Sequence, residues 1–258
     1  MDRITSRANP LLSHIRRLSS DAAYRRQSGQ FVGDSPKLLR EALQWGVEPA
    51  CVVCTEGVTL PTLPEGVRVV CVPGDVMASV SPMKSPQGVL FTGRIPPALA
   101  PPEKLTGRRY VALEGVQDPG NVGAVLRTLD AFDGDGLFLL PGCADPYSPK
   151  TLRSSMGALF RRPVWSCSAS ELCRLLQRSG LPLYGAALRL DTLDARTVDL
   201  TRAAVAIGSE GRGLSQELLA LCDGTVRIPM SPRCESLNAA VAASVLLWEG
   251  YRVSDGRE

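Results

Sequence analysis

Apolar runs alternate with amphipathic helical segments from residue 108 onward, a shorter strand-and-helix pattern precedes residue 93, and a proline-rich stretch separates the two. Together these predict an α/β protein in two parts. Runs such as GLFLL (136–140) and AAVAIG (203–208) contain no polar residue, as strands covered on both faces require. The larger part is therefore expected to hold a mostly parallel sheet with helices on both faces, preceded by a small α/β domain.

In chain order, LLSHIRRLSS (11–20) reads as a helix, and PKLLREALQWG (36–46) as a second that ends at Gly46. Strand-like ACVVCT (50–55), VRVVCV (67–72) and QGVLFTG (87–93) follow. GRIPPALAPPEKLTG (93–107) has four prolines in two pairs and reads as a semi-rigid linker. Beyond it, RYVALEGV (109–116), GLFLL, RPVWSC (162–167), LPLYGAAL (181–188), AVAIGSE (204–210) and TVRIPM (225–230) read as strands. NVGAVLRTLDAF (121–132), SPKTLRSSMGALF (148–160), SELCRLLQRSG (170–180), SQELLALC (215–222) and LNAAVAASVLLWEGYRV (237–253) read as the intervening helices.

Composition removes several function classes. No apolar run approaches the roughly 20 residues of a membrane span, and MDRITSRANP has no apolar signal-peptide centre, so a soluble cytoplasmic protein is expected. Eight scattered cysteines in a chain of ordinary globular composition read as reduced core residues, including the pair Cys51 and Cys54 in ACVVC. The single histidine, His14, lies in the N-terminal segment and reads as a helix-surface residue. A Ser-His-Asp or Cys-His centre in the second part is thereby unsupported, and no cluster has metal-ligand spacing. The net charge is +3, yet residues 1–40 hold eight basic side chains against three acidic ones. That basic segment suits a phosphate backbone, although a solvated helix face has the same composition.

Three stretches join an apolar run to a turn of Gly, Pro, Ser or Asn: EGVQDPGNVGAVLRT (114–128), AIGSEGRGL (206–214) and RIPMSPRCESLNAAVAASVLL (227–247). In the first, Asn121 is placed as an N-cap, with Val122, Val125, Leu126 and Leu129 forming one buried helical face. Gly123 and Arg127 are read on another face, where a ligand or second chain could approach and a guanidinium could grip a phosphate. In the second, a buried strand ends at Gly208, the position where open α/β sheets bind ligands. Its GxxGxG spacing is not the dinucleotide fingerprint, and no GxxxxGK[ST] phosphate loop occurs in the chain. In the third, a polar loop follows IPM, and a helix of small residues begins near Ser236. Small residues allow close packing within the fold or against a second subunit.

In these stretches, and in DPYSPKTLRSSMGALFRRP (145–163), the chain resembles the SpoU (TrmH-type) branch of the SPOUT superfamily, RNA ribose 2′-O-methyltransferases that use S-adenosylmethionine. The resemblance covers residues 108–250 in the family's order and spacing. It implies a C-terminal trefoil knot, against the general rule that chains are unknotted, and a homodimer in which the first motif of one subunit lies near the cofactor of the other. It also implies cofactor contacts at Gly208, Ile228 and Leu237, and a reaction centre of Asn121, Arg127, Glu210, Ser236 and Asn238. Residues 1–92 resemble a ribosomal-protein-like RNA substrate-binding domain, with Arg7, Arg16, Arg17, Arg25, Arg26 and Lys37 as candidate RNA contacts. There FVGDSPK (31–37) stands where relatives tend to read FVVEGPK, so Asp34 and Ser35 mark a departure. The expected organisation is an RNA-binding domain over 1–92, a linker over 93–107 and a methyltransferase domain over 108–258. The N-terminal module points to ribosomal RNA as the substrate, with transfer RNA, or a non-catalytic RNA-binding assembly factor of the same fold, as the alternatives.

Overall fold

The structure, a computed structural model, describes residues 2–96 and 101–255. Its elements run β1 (Asp2–Arg3), α1 (Pro10–Ser20), α2 (Ala22–Ser28), β2 (Gln30–Gly33), α3 (Pro36–Gln44), β3 (Pro49–Thr55), β4 (Arg68–Val72), α4 (Gly74–Val80) and β5 (Val89–Arg94). They continue with β6 (Arg109–Leu113), α5 (Pro119–Ala131), β7 (Gly136–Leu139), α6 (Pro149–Ser155), β8 (Val164–Ser166), α7 (Ala169–Ser179), β9 (Leu183–Ala186) and β10 (Leu193–Asp194). β11 (Ala203–Ile207), α8 (Gln216–Leu221), β12 (Gly224–Arg227) and α9 (Ala239–Asp255) complete the chain. By contact these fall into two compact units, Met1–Pro97 with Asp145–Phe160, and Ala98–Ala144 with Arg161–Glu258.

The first unit is built on a five-stranded sheet of order β1-β4-β3-β5-β2. β1, β4 and β3 are mutually parallel, whereas β5 runs antiparallel to β3 and β2. One face packs Val53, Cys51, Val70 and Val72 against Leu12, Ile15 and Leu18 of α1 and Val76, Met77 and Val80 of α4. Cys51 belongs to that core; three residues on, Cys54 is directed to the opposite face by the two-residue period of a strand. Burial pushes both thiols up. α1, α2 and α3 begin with side-chain caps: Asn9, Asp21 and Ser35 accept from the backbone N–H groups of Leu11, Tyr24 and Leu38, whereas α4 starts after Pro73 without one.

Residues 145–160 are held within this first unit by charge and by rings. Arg25, nearly fully buried, donates to Asp145 at 2.7 Å and to the Leu18 carbonyl at 2.6 Å. Asp34, equally buried, is ion-paired with Arg153 of α6. Removal from water raises the Asp34 carboxyl above the usual carboxylate range, opposed by that arginine. Phe31 of β2 packs on Tyr147 and Phe160 with ring centroids 5.7 and 5.9 Å apart. Burial, reinforced by Asp145, pushes the Tyr147 phenol up to about 12.

The second unit carries a seven-stranded sheet of order β10-β12-β9-β11-β6-β7-β8, parallel at every neighbouring pair. Tyr110 and Ala112 of β6 and Ala204 and Ala206 of β11 share one core with Leu172, Leu175 and Leu176 of α7 and Leu218 of α8. The intervening Val111, Leu113, Val205 and Ile207 are also buried, and alternation directs them to the other face, where α5 and α9 pack. Both faces are thus covered, as the uninterrupted apolar strands demand. α7 shows the reciprocal capping box of Ser168 and Glu171 and ends at Gly180 in the left-handed region at φ +63°.

Some sequence readings of this architecture need revision. His14 is not a free helix-surface residue: its two ring nitrogens lie 2.8 Å from Tyr24 Oη and 3.2 Å from Gln30 Oε1. Within the proline-rich stretch, Leu105 is buried and its N–H donates to Ser179 Oγ at 2.9 Å, while residues 97–100 lie outside the described residues. Asp145→Ala leaves the Arg25 guanidinium buried without its carboxylate. It should destabilise the protein by about 3 kcal/mol in urea denaturation, whereas replacing the exposed Glu103 should have little effect.

Candidate functional site

Because β6, β9, β11 and β12 are parallel, their carboxyl ends share one edge of the sheet. The segments leaving that edge are 187–192, 114–118 into α5, 208–215 into α8 and 228–238 into α9. Three of them, 187–192, 208–215 and 228–238, contribute to the wall of a cavity of about 490 Å³ with Gly208, Glu210, Ile228, Ser236 and Leu237 in its lining. Its size lies in the usual range for small-molecule sites, about 300–1,000 Å³.

The glycine turn is fixed by a steric fact. A Cβ at Gly208 would lie 2.1 Å from the Gly213 carbonyl carbon and 2.4 Å from the Leu214 nitrogen, so the two backbone stretches meet without room for a side chain. Gly213 N–H closes the turn onto the Ser209 carbonyl at 2.8 Å, and Gly213 itself takes φ +66°. The turn is tied to the end of β6 by Glu114, whose carboxylate accepts from Ser215 N–H at 2.7 Å and Ser215 Oγ at 2.8 Å. Glu114 was not among the expected site residues. Its signal was its place directly after an apolar strand, at the start of EGVQDPGN.

Glu210 is the centre of a polar cluster. Its Oε1 accepts from Asn121 Nδ2 at 2.8 Å and from Asn238 Nδ2 at 2.5 Å, and Asn238 Nδ2 also lies 3.2 Å from Asn121 Oδ1. Asn238 Oδ1 in turn accepts from the Ala240 and Val241 N–H groups, capping α9. Asn121 is not the N-cap of α5. Asp118 fills that role, accepting from Gly120 N–H at 2.7 Å, because Pro119 is preset for the first helical position. The shift frees the Asn121 amide to reach Glu210. Gly123 is buried with Val122 and Leu126 rather than offering a ligand-facing gap. Arg127 is exposed on α5, outside the cavity lining, with no ion-pair partner among the described residues.

The structure thus brings Asn121, Glu210 and Asn238 into hydrogen-bond contact, and Gly208, Ile228, Ser236 and Leu237 around the adjoining cavity. Loop residues Leu188 and Arg189 also line it, with no sequence pattern that singled them out. In the first unit the proposed RNA contacts diverge. Arg25 is unavailable to a phosphate, because it is spent on Asp145 and Leu18 in the interior. Arg16 is half-buried and bound to the carbonyls of Ser79 and Arg7. Arg7, Arg17, Arg26 and Lys37 remain exposed, Arg7 pairing with Asp75 and Arg17 lying 3.7 Å over the Tyr24 ring.

A parallel sheet with a glycine turn, two amides and a carboxylate gathered at its carboxyl edge defines an α/β enzyme with a small-molecule cavity beside a polar reaction centre. The model of the SpoU rRNA Methylase family matches residues 108–248, and that of the MRM3-like substrate binding domain matches residues 9–90. An uncharacterised tRNA/rRNA methyltransferase of Synechocystis is 35% identical, covering 96% of this chain and 93% of the relative. The 23S rRNA (guanosine(2553)-2'-O)-methyltransferase RlmP of Bacillus subtilis is 31% identical over 87% of this chain and 89% of its own. The AdoMet-bound rRNA methyltransferase of Sinorhizobium meliloti superposes with a TM-score of 0.84 at 28% identity, covering 98% of both chains. The chain belongs to the SpoU rRNA methylase family. It is an RNA methyltransferase whose cofactor is S-adenosylmethionine.

The cavity fits that cofactor in size, in its apolar walls from Ile228 and Leu237, and in the bare backbone exposed at Gly208. Gly208→Ala should abolish detectable S-adenosylmethionine binding by calorimetry, because its methyl group collides with backbone rather than with a yielding side chain. The cysteines give an independent check of packing. Burial pushes the Cys167 and Cys222 thiols up to about 11, whereas Cys234 is exposed in the 228–238 loop. Iodoacetamide at pH 8 should alkylate Cys234 well before either of the other two, since the thiolate is the nucleophile and only raising pH toward 11 ionises them.

Proposed function

We propose that this chain methylates a ribose 2′-hydroxyl in ribosomal RNA, acting as a homodimer. The observation that carries the reading is the Asn121–Glu210–Asn238 cluster beside the cavity. Support for the choice of RNA comes from the Bacillus subtilis relative, which aligns over both units, and from the substrate-binding-domain match in the first. Transfer RNA is the alternative that the first experiment below separates.

Gly208, Ile228 and Leu237 would hold S-adenosylmethionine, which supplies the methyl group when bound. The chain's own residues have two tasks, to orient the hydroxyl and to take its proton as the oxygen attacks the methyl carbon. Glu210 Oε1 is occupied by both amides, while Oε2 accepts no hydrogen bond among the described residues. In this reading Oε2 receives the proton, and Ser236 and the amides of Asn121 and Asn238 fix the ribose. Arg127 grips a neighbouring phosphate; a guanidinium holds its proton too tightly to serve as the base. The chain's three cavity segments, 186–189, 207–214 and 226–237, are the ones that the implied trefoil knot would gather.

The dimer rests on α9, where Val241, Val245 and Trp248 recur at i, i+4 and i+7 and are 47%, 37% and 48% exposed. An exposed apolar helix face of this kind suits a second copy. α5 lies against α9 through Thr128 Oγ1 and Ser244 Oγ at 3.0 Å, so the helix that carries Arg127 packs on the helix of that face.

Mapping ribose methylation across total RNA in cells with and without the gene should show one site lost in ribosomal RNA. A lost site in transfer RNA would overturn the substrate assignment. Glu210→Gln should lower kcat about a hundredfold with cofactor affinity kept, and an unchanged kcat would reduce Glu210 to a positioning role. Arg127→Lys should raise KM for RNA more than it lowers kcat. Val245→Glu should convert the protein to monomers in sedimentation and abolish methylation together.

A further inference from the structure

A second concavity, in the first unit, is not used by the reaction described above. β1, β4 and β3 are parallel, and Arg3, Val72 and Thr55 are their last residues. All three line one cavity of about 710 Å³, together with Met77 and Ala78 of α4 and with Gln87, which precedes antiparallel β5 on the same edge. A crevice outside the carboxyl ends of parallel strands is where open α/β sheets take ligands.

Its chemistry is specific. Val72 and Met77 are buried and give an apolar floor, while Thr55 and Gln87 bring a hydroxyl and an amide to the wall. The wall is held in place: Thr55 N–H donates to the Gly88 carbonyl at 2.9 Å, and a Cβ at Gly88, which takes φ +75°, would lie 2.6 Å from Thr55 Oγ1. Among the described residues the charged lining is a single ion pair, Arg3 with Glu56 at 3.1 Å, and outside it Arg7 pairs with Asp75, next to the lining residue Gly74. Arg16 Nε donates to the carbonyl of Ser79, next to Ala78.

An apolar floor with one hydroxyl and one amide, and with the one lining arginine already paired to Glu56, matches a nucleobase better than a bare phosphodiester, which would want a free cation. Sequence-specific RNA recognition commonly works on such unstacked bases. We infer that this cavity receives one unstacked base of the RNA substrate and reads its edge through Thr55 and Gln87. The inference rests on the substrate being RNA, as proposed above, but not on which atom is methylated.

Cross-linking of the full-length protein to 4-thiouridine-labelled total RNA from cells lacking the gene tests it without a methylation readout. Cross-linked peptides should include residues 72–78 or 86–88. Ala78→Phe, which adds a ring at an exposed lining position, should lower their yield about tenfold or more. Gln87→Ala should lower it less, and neither should change S-adenosylmethionine affinity or the melting temperature. Cross-links confined to other peptides, or yields unchanged in both variants, overturn the inference. So does a free nucleoside that fills the cavity while Ala78→Phe binds RNA normally, which would mark a small-ligand site instead. If ribose mapping fails to find a lost 2′-O-methyl group but these cross-links persist, the base pocket stands and the reaction assignment falls.

Discussion

The approach of Gly208 to Gly213 is the constraint on which the second unit's chemistry depends. β11 ends against another stretch of backbone with no side chain between them, and Gly208 at that meeting point lines the cavity. The same contact sets where Glu210 emerges, two residues later, and so where the amides of Asn121 and Asn238 can converge. Glu114 reinforces this from the far side by tying Ser215 to the end of β6. The carboxylate at the centre is thus supported from three chain segments that are far apart in sequence, which is why no one motif is informative by itself.

The sheet and most helices of the second unit were legible because both faces are buried and the strands carry nothing polar to confuse the pattern. Several short elements were not: β10 and β1 are two residues long, β2 is four, and α2 and α4 are seven each, although α8, with six, was read as a helix. Gly208, Ile228 and Leu237, which line the cavity, were singled out as cofactor contacts only through family resemblance, and periodicity alone would have left them as a turn, a strand end and a helix start. The cap of α5 was misplaced by three residues because Asn121 and Asp118 are both good capping residues; Pro119 decides between them. Charge counting also failed at Arg25, since a sequence shows that an arginine is present but not that an aspartate 120 residues later encloses it.

The two residues by which FVGDSPK departs from the family pattern, Asp34 and Ser35, act within the fold. Asp34 keeps a carboxylate facing Arg153, and Ser35 supplies the hydroxyl that caps α3 at Leu38. Neither side chain is directed outward for recognition. Both side chains therefore serve the interior, while Arg7, Arg17, Arg26 and Lys37 are the candidate contacts that stay exposed.

The all-parallel sheet also governs how this protein is made. Arg109 of β6 stands opposite Ala203 of β11, so the central pair cannot form until the whole intervening chain has been synthesised. The first unit has a similar delay, because Arg25 must wait for Asp145. Both units therefore have high contact order, the property that most slows small-domain folding. During translation the β11 edge of β6 stays unpaired while the chain from Arg109 to Ala203 is made, the kind of exposed strand edge that makes folding intermediates prone to aggregate.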